Sequence, residues 1–223
     1  MLWEELNPLG LEIVDVCLEM AGPEVARPFV EAAGSTHPSL IDETHRMDSL
    51  FGITNVPMVV WIDETGTLVR PPERAMPMPV GKRALQIAEM IGGLDEREAY
   101  VAKLRDWVSN GADSRYALSP QQVVDRSRPQ PMTASEAAAH FEIAQHFWRS
   151  EGLTDRVIRH FNAAHELQPD NVTFKRQAWS ALAVERNGDS HEWVRFRQAP
   201  VEGEDWPFVT DFNQDADLIM GTN

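Results

Sequence analysis

The side chains that could do chemistry are few, and their spacing does not favour it. Cys17 is the only cysteine in a chain of 223 residues. A lone cysteine excludes an intrachain disulfide and any Cys-X-X-Cys dithiol within this chain. It ends an apolar strand-like run and reads as a buried, inert thiol. A reactive thiol needs an exposed, electropositive setting, whereas Asp15 and Glu19 lie close by in sequence. Seven histidines raise the question of a metal. His140 and His146 are six apart and His160 and His165 five apart, and neither spacing is the i,i+4 pair by which one helix face presents two ligands. His37 and His45 flank a loop with Asp42 and Asp48, but no ligand set is evident. The histidines therefore read as surface or capping residues, and no metal or other cofactor is expected. Ser109 and the other hydroxyls have no His/Asp spacing that suggests a triad, and there is no glycine-rich phosphate loop. One run, residues 171–179, mixes bases with aromatics. Lys175 and Arg176, with Arg156 and Arg159, would make an anion- or carboxylate-binding groove; the plainer reading is an arginine stacked on Trp179 or Phe174 within the fold.

Composition bounds the rest. The formal charge is −15, divided as −8 over residues 1–94, −1 over 95–199 and −6 over 200–223. An acidic surface repels phosphate backbones, so no nucleic acid partner is expected. There is no apolar run of about 18 residues, so no membrane span is expected. Met1 to Glu5 is acidic and lacks the basic region of a signal peptide, which gives a cytoplasmic expectation by default. A hydrophobic content of 43% over this length is enough for one large domain or two small ones.

The elements that must position these residues centre on 50–70. Pro57 heads an apolar, β-branched run over 58–62, read as a strand covered on both faces. Asp63 to Gly66 is turn chemistry, so 67–69 should return antiparallel. Upstream, 3–9 reads as a helix end stopped by Pro8 and Gly10, 11–17 as a strand, 23–33 as a helix with Pro23 in its first turn, 40–42 as an extended piece and 44–51 as a short helix. Pro71, Pro72, Pro77 and Pro79 make 71–80 an extended linker or lid rather than an element. Helices are expected over 81–91, over 96–109 behind an Asp95/Glu98 capping box, and from Pro120 behind Ser119. Three more are expected over 134–150, 155–167 and 171–186, and a short one over 191–198. Trp206, Phe208 and Phe212 would pin an acidic tail to the body; without such contacts it would be disordered.

At Asn55-Val56-Pro57 the chain resembles the thioredoxin superfamily, closest to the TlpA/ResA-like redoxins. The similar pieces are residues 12–16, Leu40-Ile41-Asp42, Leu50-Phe51-Gly52-Ile53, the Val56-Pro57 step and the hairpin Trp61-Ile62-Asp63-Glu64-Thr65-Gly66, together covering residues 3–92. In that family the matching proline is cis and its loop contacts a peptide substrate. The resemblance thus implies a substrate-binding role for Asn55, Val56 and Pro57, and no catalytic residue in this chain. The family's first core strand and its Cys-X-X-Cys would precede Trp3. That strand would lie between the strands over 12–16 and 57–62, and removing it leaves a gap of about 10 Å. The expectation is that the two flanking strands pair directly, or that a segment of another chain fills the gap. A second resemblance, to a tetratricopeptide-type helix pair, spans residues 140–169 and rests on Ile143, Ala144, Phe147, Gly152, Ile158, Phe161, Ala164, Leu167 and Pro169.

The resulting expectation is an α/β fold: an incomplete thioredoxin-like domain over 1–94, an all-α helical-hairpin module over 95–200 and an acidic tail over 201–223. The function expected is protein or peptide binding without dithiol chemistry. The alternative is a thiol–disulfide oxidoreductase whose cysteines lie upstream of Met1; a structural subunit is a third reading, and a homo-oligomer is left open.

Overall fold

The computed structural model describes residues 2–75, 93–127, 129–189, 203 and 205–211. In chain order the elements are α1 (Leu2–Leu6), β1 (Asp15–Leu18), α2 (Pro23–Ala33), β2 (Ser39–Asp42), α3 (Arg46–Phe51), β3 (Met58–Ile62), β4 (Leu68–Arg74), α4 (Gly93–Asn110), α5 (Pro120–Arg126), α6 (Met132–Glu151), α7 (Asp155–Leu167) and α8 (Val172–Asn187). The fold is mixed α/β. None of the described helices is long and apolar enough to cross a membrane. The helices expected over 81–91 and 191–198, and Phe212, lie outside the described residues. Contacts divide the chain into two compact units, each built from two segments: Met1–Ile13 with Pro57–Arg128, and Val14–Val56 with Pro129–Asn223.

In the first unit β3 and β4 form an antiparallel pair whose register shifts on either side of Trp61. Trp61 faces Arg70 while Val59 faces Glu73, so β4 carries an extra residue there. This bulge is where Pro71 and Pro72 sit, and it is how a strand accommodates two residues that cannot donate to a ladder. The expectation of a linker over 71–80 is thus corrected for its first four residues. The expectation that both faces of β3 are covered also fails, since only Trp61 is buried and Ile62 is exposed. Trp61 anchors the unit. Its Nε1 donates to Tyr100 Oη at 3.0 Å, its ring stacks on Trp107 at 4.9 Å, and the Arg70 guanidinium lies 5.2 Å above it. Burial pushes the Tyr100 phenol up, against the opposing effect of that hydrogen bond. Arg70 makes a two-pronged contact with Glu73 at 3.0 and 2.6 Å and donates to the Tyr116 carbonyl at 3.1 Å. Ser119 and Gln122 close a reciprocal capping box on α5.

In the second unit β1, α2 and β2 make a β-α-β unit. β1 pairs with β2 in parallel, Val16 opposite Leu40 and Cys17 opposite Ile41. The strand begins at Asp15, later than expected, and the sheet holds these two strands alone among the described residues. Direct pairing of the strands over 12–16 and 57–62 does not occur: β1 pairs with β2, and β3 pairs with β4. The core of this unit lies among α6, α7 and α8. Ala137, Ala144, Ala164 and Ala178 are fully buried, and their size lets helix backbones approach closely, so the aromatics fill the space around them. Phe141 stacks on Phe174 at 4.1 Å, with Phe161 at 5.7 Å from Phe141. The tail packs here as well: Phe208 is buried and meets Phe161 edge-on, and Asn162 Nδ2 donates to the Pro207 carbonyl at 3.0 Å.

Candidate functional site

The residues expected to touch a peptide stand where the chain passes from one unit's segment to the other's. Asn55 Oδ1 accepts from the Val56 amide at 2.9 Å, a local turn that sets the loop. Val56 is 40% exposed. The preceding Thr54 carbonyl accepts from Val172 N at 2.7 Å and Thr173 N at 3.3 Å, serving two first-turn amides of α8 that have no partner within the helix. On the other side, the Pro57 carbonyl accepts from Ala75 N at 3.1 Å. Both neighbours of the loop are therefore held by backbone bonds.

A second constellation lies in the second unit, on residues the sequence names but does not connect. His45 has φ of +58°, the one described non-glycine residue in the left-handed region. It precedes α3 and is buried with Asp48. Its Nδ1 lies 3.0 Å from Asp48 Oδ2, and a carboxylate there places the ring proton on Nδ1. Thr173 Oγ1 lies 2.8 Å from the same Oδ2 and 2.5 Å from Asn171 Oδ1. Asn171 Oδ1 is oriented as the cap of α8, accepting from Phe174 N at 3.1 Å. The single hydroxyl proton of Thr173 serves one of these acceptors at a time. Above this network opens a cleft of about 320 Å³, walled by Leu50, Ser135, Glu142, Gln168 and Phe174 among others. The His45 ring meets Phe141 edge-on at 5.0 Å. Its Nε2 is sealed from solvent and has no hydrogen-bond partner. Asp48 thus links His45 at the start of α3 to Thr173 of α8, and the network ties the two helices together beside the cleft. Asp42 is used locally, accepting from Thr44 N at 3.3 Å and Met47 N at 2.6 Å. His37 lies 3.6 Å from Asp15.

Cys17 is half-buried, and burial together with the Glu19 charge pushes its thiol up from the ordinary value. This is the opposite of what an attacking thiolate requires. The basic groove does not assemble. Lys175 is fully buried, whereas Arg156 is exposed, pairs with Glu151 and lies 3.7 Å over the Phe147 ring. Arginine stacking does occur in this unit, with Arg156 on Phe147. His165 is also buried; burial and then the Lys175 charge push it down to about 3.

The histidines on α6 and α7 meet across the helical hairpin. His140 Nδ1 is 2.8 Å from His160 Nδ1, with ring centroids 5.1 Å apart. Within-helix spacing could not reveal this pair; its signal was the antiparallel alignment of the two helices. His146 is exposed, beside Phe147. Among the described residues no three His, Cys, Asp or Glu converge as a metal cluster.

No family model matches this chain, and neither a curated protein nor a solved structure matches it.

Proposed function

We propose that this chain is a thioredoxin-like protein that works by binding a protein or peptide in extended form, not by dithiol chemistry. The observation that carries the reading is the two-stranded parallel ladder of β1 and β2. Parallel sheets are normally broad and covered on both faces. Here Val14 beside the ladder is 48% exposed and Leu40 within it is 54% exposed. Each strand of a two-stranded ladder directs half of its backbone groups away from its partner; the outward Leu18 carbonyl accepts from Gln177 Nε2 at 3.2 Å, and the rest of the row is a template for an added strand. The order of pieces, a β-α-β unit followed by a β-hairpin, agrees with the order that the redoxin resemblance implies. Asn55 and Val56, in the same unit as the ladder, would supply further contact with the bound segment. The raised Cys17 thiol argues against redox work by this chain.

The test uses fluorescein-labelled eight-residue peptides of alternating Val and Thr. Saturable anisotropy, slowed amide exchange at Val16, and at least about tenfold weaker binding in Leu40→Lys are expected, since a charge on the added strand's face opposes pairing. Turnover in an insulin-reduction assay, or peptide binding that leaves the β1 amides unprotected, overturns the reading.

A further inference from the structure

We propose that His140 and His160 form a two-imidazole site for a tetrahedral divalent cation, Zn2+, clamped across the α6–α7 hairpin. Each ring comes from a different helix, and both are partly exposed, so a cation can reach them from solvent. The two Nδ1 atoms converge to 2.8 Å, and neutral imidazole nitrogen is a common metal ligand that suits zinc.

The ring separation selects the geometry. With metal–nitrogen bonds of about 2.0–2.1 Å and about 1.2 Å from nitrogen to ring centre, two tetrahedral imidazoles have centres about 5.3 Å apart, and two at right angles about 4.6 Å apart. The observed 5.1 Å lies close to the tetrahedral value. The two helices that carry the rings have Ala144 and Ala164 fully buried in their shared core. The nitrogens themselves must open by about 0.5 Å, from 2.8 Å to the tetrahedral ligand spacing of about 3.3 Å. A swing of each ring about its own axis achieves this without moving a helix. Arg156 and Arg159 are the cations beside His160. Arg156 is already paired with Glu151, and the chain's net charge of −15 draws cations to its surface. Water completes the coordination sphere.

Proton bookkeeping gives a sharp signature. At a 2.8 Å contact one ring must donate from Nδ1 and the other accept. The metal-free pair therefore holds one Nδ1–H and one Nε2–H tautomer. Zn2+ needs both Nδ1 lone pairs, so the donor ring moves its proton to Nε2 and both rings become Nε2–H.

The experiment has two arms on the full chain. Nitrogen-15 NMR of the histidine side chains is recorded with and without ZnCl2; mixed tautomers without metal, and Nε2–H on both His140 and His160 with it, are expected. Zinc competition against a chromophoric chelator is then measured for wild type, His140→Gln, His160→Gln and His146→Gln. Either pair variant should bind zinc at least about tenfold more weakly, since losing a ligand costs no less than disturbing a supporting group, about 10–100-fold, and His146→Gln should match wild type. Unchanged tautomers in wild type on zinc addition overturn the proposal whatever the variants do. So does zinc binding retained in both folded pair variants.

Discussion

His165 makes the acid sensitivity of the second unit a quantitative matter. It sits on α7 within the core, its Nδ1 3.4 Å from Thr210 Oγ1 and its ring beside the Phe174 backbone, whose hydrogen bond acts in the opposite sense to burial. Burial first, and the Lys175 charge second, lower it from 6.5 to about 3. The native state therefore refuses a proton that the unfolded chain accepts. Stability from this group is fully present above the unfolded value near 6.5 and is lost as pH falls toward 3. Each pH unit inside that window is worth about 1.4 kcal/mol. Between pH 7 and pH 5 the loss is about 2 kcal/mol, because the first half unit lies above the unfolded value. The perturbation is His165→Gln, which keeps a polar side chain and removes the titration. Urea unfolding followed by far-UV circular dichroism at pH 7, 6 and 5 should show wild type losing about 2 kcal/mol more than the variant across the range. A proton NMR titration of the His165 ring gives the direct check, with no protonation expected at pH 5. Parallel stability profiles for the two proteins, or a ring that titrates near its ordinary value, would refute the reasoning.

Two further outcomes test the packing. Thr173→Val removes the hydroxyl that lies 2.8 Å from Asp48 and leaves a buried carboxylate with one fewer partner; destabilisation of about 1–3 kcal/mol in urea is expected, and a neutral result would mean that the tie between α3 and α8 carries no weight. Ala164→Leu overfills a fully buried contact in the helical hairpin; a loss of about 1–3 kcal/mol is expected, readable as a lowered thermal midpoint.

Much of the local structure was legible in the sequence because its causes are local. α7 begins and ends where the Thr154 cap position and Pro169 place it, at Asp155 and Leu167. β3 occupies Met58–Ile62, the apolar run after Pro57. α8 takes its cap from Asn171. The small residues Ala144 and Ala164 marked a close helix approach, and both are fully buried. Other features were hidden for identifiable reasons. The proline run after Val69 read as a breaker, since nothing in one strand reveals the bulge that absorbs Pro71 and Pro72. Spacing along a single helix is silent about His140 and His160, which meet from different helices. His45 and Asp48 drew notice as loop neighbours, but their third member, Thr173, is 125 residues further on.

What the sequence determined by itself is the set of pieces: their period, their caps and stops, an acidic charge of −15 and a single thiol with no second cysteine to resolve it. Tertiary structure decided which pieces join. It groups Val14–Val56 with Pro129–Asn223, threads Gln177 back to Met20 and Leu18 through bonds of 3.0 and 3.2 Å, and turns two unremarkable histidines into a facing pair. The physical reason is range. Hydrogen bonding within a helix and the alternation of a strand act over a few residues and leave a periodic trace, whereas contacts between distant segments depend on the whole path of the chain and leave none.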